Sequence, residues 1–275
     1  MKYTVQSSKY TLKNFIYLLP FAILPAWFLS LSTDQEAIFC ALEAIVHGRI
    51  NDFHFVHIFR AISILNFYDW YSVVFGIAGV IMMIVCGAML MAFLDKHMRI
   101  GKRTFTGIFS KLNDNLVSTA GYVMLLLAIY ELWSLLTSAF VYVFSLIPVV
   151  WLAYVFAIMV YLSMHVVLIY FIGKIYLWLP CMQITGFKAK EALYYSNNLN
   201  TPVKRRIVAG QLLFLFIAYS SIFLCAWFAV SFVWFTVLTT ILYYFLIMLY
   251  CVRMQIVYFD RDNIDRADLL GYYRR

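Results

Sequence analysis

The chain has 275 residues and a formal charge of +8, with 65% hydrophobic and only 12% charged side chains. Soluble domains carry roughly 25% charged residues, so this composition excludes an ordinary soluble fold. The basic balance does not point to nucleic acid either, because the cations stand beside long apolar runs rather than forming a patch of their own.

Asp, Glu, Lys and Arg are missing from four stretches, 14–33, 71–94, 132–173 and 207–252. A bilayer core takes about 20 apolar residues per helix. The first two stretches hold one span each and the longer two hold a pair each, the pair of the third stretch starting near Leu116 and turning at "SLIPVV". Six spans are therefore predicted at 15–32, 71–94, 116–141, 150–173, 207–230 and 234–257. Continuous runs favour helices, which satisfy their own backbone in lipid, over the short alternating strands of a barrel. The expected fold is an all-α integral membrane bundle with amphipathic interfacial helices, forming a single polytopic domain over 1–275.

The first span has Pro20 and Pro25 inside it, which should kink it and free carbonyls. Its basic start and Ser30-x-Ser32 faintly resemble a signal peptide, but its 18 apolar residues are expected to stay as a span. The long segment 33–70 follows. Thr33 and Glu36 have capping-box spacing, a stripe from Ile38 to Val46 ends at Gly48, and a second stripe runs from Phe53 to Ile64. Two short amphipathic helices are predicted here, on the membrane face or capping the bundle. Glu43 with His47 and His54 with His57 have helical spacings that suit metal ligands, though polar faces of interfacial helices look the same. No metal is assigned.

In the second span Gly76, Gly79, Met83 and Gly87 lie near one face and suit close helix packing. The third carries Glu131, about 22 Å from its basic end at 1.5 Å per residue. An ionised carboxylate there costs roughly 2.5–3.5 kcal/mol on insertion scales, so it should face the interior or be protonated. His165 in the fourth span lies about 13 Å from the same end, too far in depth for direct pairing. Gln211 in the fifth is a third intramembrane polar candidate. Two readings stand for these residues: a proton or polar-solute path, or a buried polar clamp.

Nineteen of the 21 cations fall on one side of these spans, with Arg49 and Arg60 opposite. The positive-inside rule then places both termini, and a tail at 258–275, in the cytoplasm. Trp27, Trp70, Trp151, Trp227 and Trp234 fall near the opposite ends, as an interfacial belt would. Lys204, Arg205 and Arg206 stand where the fifth span enters and should hold anionic lipid. "TFTGIFSKLNDN" before the third span and "ALYYSNNLN" before the fifth look like two copies of an interfacial helix, a short parallel repeat. The acidic end "DRDNID" fails as a calcium loop, because Ile264 takes a ligand position and no glycine follows. It reads as a solvated helix reaching Gly271. The five cysteines show no CxxC spacing, and no disulfide framework is expected.

The stretch "GFKAKEALYYSNNLNTPVKRRIVAGQLLF" has an Ala-Leu-x-x-Ser helix, a polar break, a basic cluster and an apolar span. It resembles the six-helix bacterial membrane domain fused to some glycerophosphodiester phosphodiesterases, and the free-standing relatives of that domain. The likeness covers the four later spans best. It implies a bacterial plasma-membrane protein whose fused counterparts keep their chemistry in a separate soluble domain, and no catalytic residue carries over. Nucleophile elbows, phosphate loops and HExxH are missing from the sequence itself. The expected function is thus that of a multi-pass membrane protein without its own catalytic centre or cofactor, and without a nucleic-acid partner. It is either transporter-like around Glu131 and His165, or an accessory protein docking a protein partner through its cytoplasmic amphipathic helices. Membrane lipids are the other expected partner.

Overall fold

The computed structural model describes residues 2–67, 69–201, 204–229 and 231–269. Among them are eleven α-helices and no strand: α1 Lys2–Lys13, α2 Phe15–Ser32, α3 Gln35–Val46, α4 Phe55–Ile62, α5 Trp70–Ile100, α6 Ile108–Ser145, α7 Val150–Ile175, α8 Trp178–Thr185, α9 Ala189–Asn200, α10 Lys204–Phe228 and α11 Phe232–Arg261. Six are long and apolar enough to cross a membrane: α2, α5, α6, α7 with its continuation into α8, α10 and α11. The chain is an all-α membrane bundle.

The predicted span 15–32 coincides with α2, which stays one helix through both prolines. The other spans run longer than predicted. The helix α6 begins at Ile108, so Lys111 and Asp114 are already helical. A helix carries its hydrogen bonds on into the head-group zone, where charged side chains are tolerated. The same fact undoes the repeat: its first copy is the start of α6, whereas its second copy is the separate helix α9. The segment before the first span forms α1, an element its cations alone did not announce.

Two packing contacts set the frame. α5 lies against α2, where a Cβ added to Gly79 would stand 2.9 Å from Leu29 Cδ2 and one added to Gly76 2.8 Å from Ser32 Oγ. Gly87 faces α6 instead, near Thr119. α11 packs on the other side of α2, with Ser30 Oγ hydrogen-bonded to Thr240 Oγ1 at 2.8 Å. The largest cluster of buried side chains draws Leu18, Phe93, Tyr122, Met248 and Tyr258 from α2, α5, α6 and α11.

One end of the bundle is basic and the other is capped. The cap is α3, a 3₁₀ turn at Ile50–Asp52 and α4. It covers the bundle rather than lying beside it. Asn51 Nδ2 donates to the carbonyls of Ser145 and Ile147 at 2.9 and 2.8 Å, capping α6. The N-cap of α3 is Asp34, not Thr33: its carboxylate accepts from Ala37 N at 2.9 Å. The Thr33 hydroxyl is engaged with Leu29 O and Tyr243 OH, so the stronger acceptor one residue on takes the cap. Trp27, Trp70, Trp151, Trp227 and Trp234 are all exposed toward this half.

At the basic end the tail departs from the solvated helix expected of it. α11 stops at Arg261 and the chain turns back. Ala267 N donates to Met98 O at 2.8 Å, docking the turn on the end of α5. The Arg266–Asp268 pair is 10% and 7% exposed, and Tyr258 and Phe259 are fully buried. Gly271, Arg274 and Arg275 lie outside the described residues.

Candidate functional site

Tyr130 and Glu131 are neighbours on α6 and Ser134 stands one turn further on, where α4 ends against the helix. α4 closes with Ser63 N donating to Phe59 O, and the chain then runs unwound through Phe67. Backbone of this kind inside a bundle has to find its partners among side chains. It does so residue by residue. Ile64 N and Leu65 N both donate to Glu131 Oε1 at 3.0 Å. Ser63 Oγ donates to Glu131 Oε2 at 2.7 Å, with Ser134 Oγ at 3.2 Å. Tyr130 OH donates to Ile62 O at 2.6 Å, and Ser32 Oγ to Ile64 O at 3.1 Å. Glu131 is half-buried, and both its oxygens are taken up by this one segment.

His165 shares no hydrogen bond with Glu131. Its ring is boxed by Tyr161, Trp133 and Tyr219, with centroids 4.3, 4.7 and 5.2 Å away. Its Nδ1 lies 2.9 Å from Tyr161 O. A carbonyl only accepts, so the proton is on Nδ1. Trp133 Nε1 donates to Met164 O at 2.7 Å and pins α6 to α7. Tyr130 and Tyr219 share a hydroxyl–hydroxyl hydrogen bond, which links the two groups by side rather than by contact.

A second carboxylate organises the same end. Asp34 accepts from Arg60 through both Nε and a terminal nitrogen at 2.7 Å, and from Asn66 Nδ2 at 3.1 Å. The pair is 13% and 7% exposed, so it ties α3 to α4 out of water. Beside it opens a cavity of about 530 Å³, lined by Thr33, Asp34, Glu36, Phe39, Arg60, Asn66, Asp69, Tyr71, Ser72 and Phe232 among others. Glu36 and Asp69 are exposed at its edge. Three carboxylates face one guanidinium that is already paired, so the cavity is acidic.

Of the other sequence candidates, Gln211 lies in α10 about 12 Å nearer the basic end than Tyr219, at 1.5 Å per residue. It is buried beside Arg253. Arg205 and Arg206 are exposed at the start of α10, and the side chain of Lys204 lies outside the described residues. Glu43 pairs with Arg49 at 3.0 Å. His47, His54 and His57 are exposed, and His54 and His57 stack edge-on with centroids 5.6 Å apart. Among the described residues no three His, Cys, Asp or Glu side chains gather as a metal-holding group, so the four-ligand arrangement allowed by spacing is not built. The five cysteines are free.

Sequence reasoning missed Asp34, Arg60 and Asn66. One signal was available: Arg60 is one of only two cations opposite the basic end. Comparison with family models, with curated proteins and with solved structures gives no match.

Proposed function

We propose that this protein is a non-catalytic accessory protein of a bacterial plasma membrane, with its basic end in the cytoplasm, which holds a small organic cation in the cavity at its capped end. The cavity carries this reading: it is concave, partly aromatic and acidic, and its wall is fixed by the buried Asp34–Arg60–Asn66 contacts. The one-sided cations support the orientation. The exposure of Arg205 and Arg206 supports contact with anionic lipid there. The resemblance to a membrane domain whose chemistry resides in a separate soluble domain agrees with an accessory role.

Glu131 argues against conduction, because its oxygens are committed to fixed donors rather than to a path. Transport is the second reading. One observation favours it: the Tyr130–Tyr219 hydroxyl pair continues from the capped end toward the His165 box.

The test is thermal unfolding of the purified protein against choline, ethanolamine and spermidine, with flux of the same probes into proteoliposomes. The proposal expects saturable stabilisation by at least one probe, lost in Glu36→Gln/Asp69→Asn, and no flux. No saturable shift, or flux that Glu131→Gln abolishes, overturns it.

A further inference from the structure

Arg253 lies eight residues before the end of α11, and its side chain is 5% exposed. Its guanidinium occupies the space over Gly210, where a Cβ would stand 2.0 Å from a terminal nitrogen. A guanidinium has five N–H donors. Here one terminal nitrogen reaches Ile207 O at 3.4 Å, and Nε has no partner. The ring of Tyr176 lies 6.0 Å away. Among the described residues no carboxylate pairs with Arg253. Buried cations are otherwise paired, since water has been stripped from them and nothing has replaced it.

The neighbours have the same deficit. Gln211 is 3% exposed with Nε2 unpartnered, and Tyr176 is fully buried with its hydroxyl unpartnered. All three line one cavity of about 210 Å³, which Ser7 and Ser8 of α1 help to close. Three unpartnered donors thus line one space that holds no carboxylate. That is the signature of a site for an oxyanion.

The rest of the cavity says what carries the anion. Phe214 and Ile217 of α10 and Leu242, Phe245 and Leu249 of α11 continue it as an apolar groove. From Arg253 to Leu242 the groove runs about 16 Å along α11, at 1.5 Å per residue. Its rim residues Leu213 and Ile217 are 42% and 52% exposed on helices that face lipid, so it opens sideways into the membrane. The donors lie only about a turn from Ile207, where α10 enters beside Arg205 and Arg206. Polar donors at head-group depth with an apolar groove running inward match an acyl lipid, not a free solute.

We infer that the groove between α10 and α11 holds an anionic phospholipid from the leaflet at the basic end, its phosphate oxygens bound by Arg253, Gln211 and Tyr176. Charge-assisted hydrogen bonds of this kind are the strong ones. This site is separate from the acidic cavity at the capped end and does not depend on its ligand.

Native mass spectrometry of the intact protein in neutral detergent tests the assignment. The probes are phosphatidylglycerol and phosphatidylcholine with identical chains, in equal amounts. Both lipids carry the phosphate, but the choline cation of phosphatidylcholine already offsets its charge, so wild type should retain phosphatidylglycerol, whose charge is left for Arg253 to pair, over phosphatidylcholine by about tenfold or more. Arg253→Met should lose that preference. Gln211→Leu should weaken it and serves if Arg253→Met does not fold. Arg205→Gln/Arg206→Gln should keep it. Equal retention of both lipids by wild type, an undiminished preference in folded Arg253→Met or Gln211→Leu, or loss in the Arg205/Arg206 variant instead would overturn the inference. Stabilisation by inorganic phosphate alone, equal to that by the lipid, would also overturn it, because it makes the site one for free phosphate.

Discussion

Leu65 donates its backbone N–H to the Glu131 carboxylate at 3.0 Å across 66 residues of sequence. With Ile64 and Ser63 on the same carboxylate, this contact holds an unwound segment against the middle of a membrane-spanning helix. The residue that looks most like a proton carrier in the sequence is a fastener for the cap.

Replacing Glu131 should therefore be read in stability. Hydrogen bonds to a charged group contribute about 1.5–3 kcal/mol each, and an orphaned buried donor costs about 1–3 kcal/mol. Glu131→Gln keeps one acceptor and should cost about 1–3 kcal/mol. Glu131→Leu strands Ile64 N and Leu65 N and should cost about 3–5 kcal/mol. Thermal unfolding in detergent ranks the two, and a leucine variant as stable as wild type would contradict the clamp.

Asp34 and Arg60 should behave as a unit. Both are nearly buried, so removing one partner leaves the other uncompensated, at about 3–5 kcal/mol. Asp34→Asn and Arg60→Met should each destabilise the protein, and the double variant should recover part of the loss. A double-mutant cycle reads the coupling. Strictly additive losses would mean that the pair contributes nothing jointly.

The α2–α5 contact should be intolerant of a single methyl group. In Gly79→Ala the new Cβ meets Leu29 Cδ2 at 2.9 Å and the Leu29 backbone N at 3.2 Å. Overpacking of this kind costs about 1–3 kcal/mol. Gly121→Ala in α6 meets nothing within 4 Å and should be neutral or stabilise by up to about 1 kcal/mol through helix propensity. Thermal unfolding of the pair should separate them; equal effects would mean that α2 and α5 have room to part.

Two phenols latch the basic end. Tyr3, mainly through burial and then through its hydrogen bond to Asp260, is pushed up to about 12. Tyr195, mainly through its hydrogen bond to Asp262 and then through burial, is also pushed up to about 12. A raised folded value gives stability that is complete below the unfolded value near 10 and lost as pH rises through the folded value. The latches should thus be indifferent to pH across the neutral range and open between about 10 and 12. Ultraviolet titration of Tyr3→Phe and Tyr195→Phe against wild type should each remove one late-titrating phenol. Normal titration of all tyrosines in wild type would deny both latches.

The bundle was legible because charge is expensive in lipid: α2 matches its predicted span at both ends. Helix ends were less so, as α6 shows with Lys111 and Asp114 inside its first turns. The interior position of Glu131 followed from the same cost. Its partners did not, since they are backbone amides that any sequence supplies. Arg253 was hidden differently. Counted with the cations of the basic end, it gives no sign of burial until Gly210, more than forty residues earlier, is seen to leave room for it. Capping signals also need structure where two acceptors adjoin, as at Thr33 and Asp34.

Amide hydrogen exchange of the segment around Ile64 and Leu65, in protein held in lipid nanodiscs, tests most directly the claim that Glu131 is a clamp. In wild type these two amides should exchange slowly although they belong to no helix. In Glu131→Leu they should exchange faster by about 100-fold, the loss of one charged hydrogen bond each. Rapid exchange in wild type, or slow exchange unchanged in Glu131→Leu, would contradict the account.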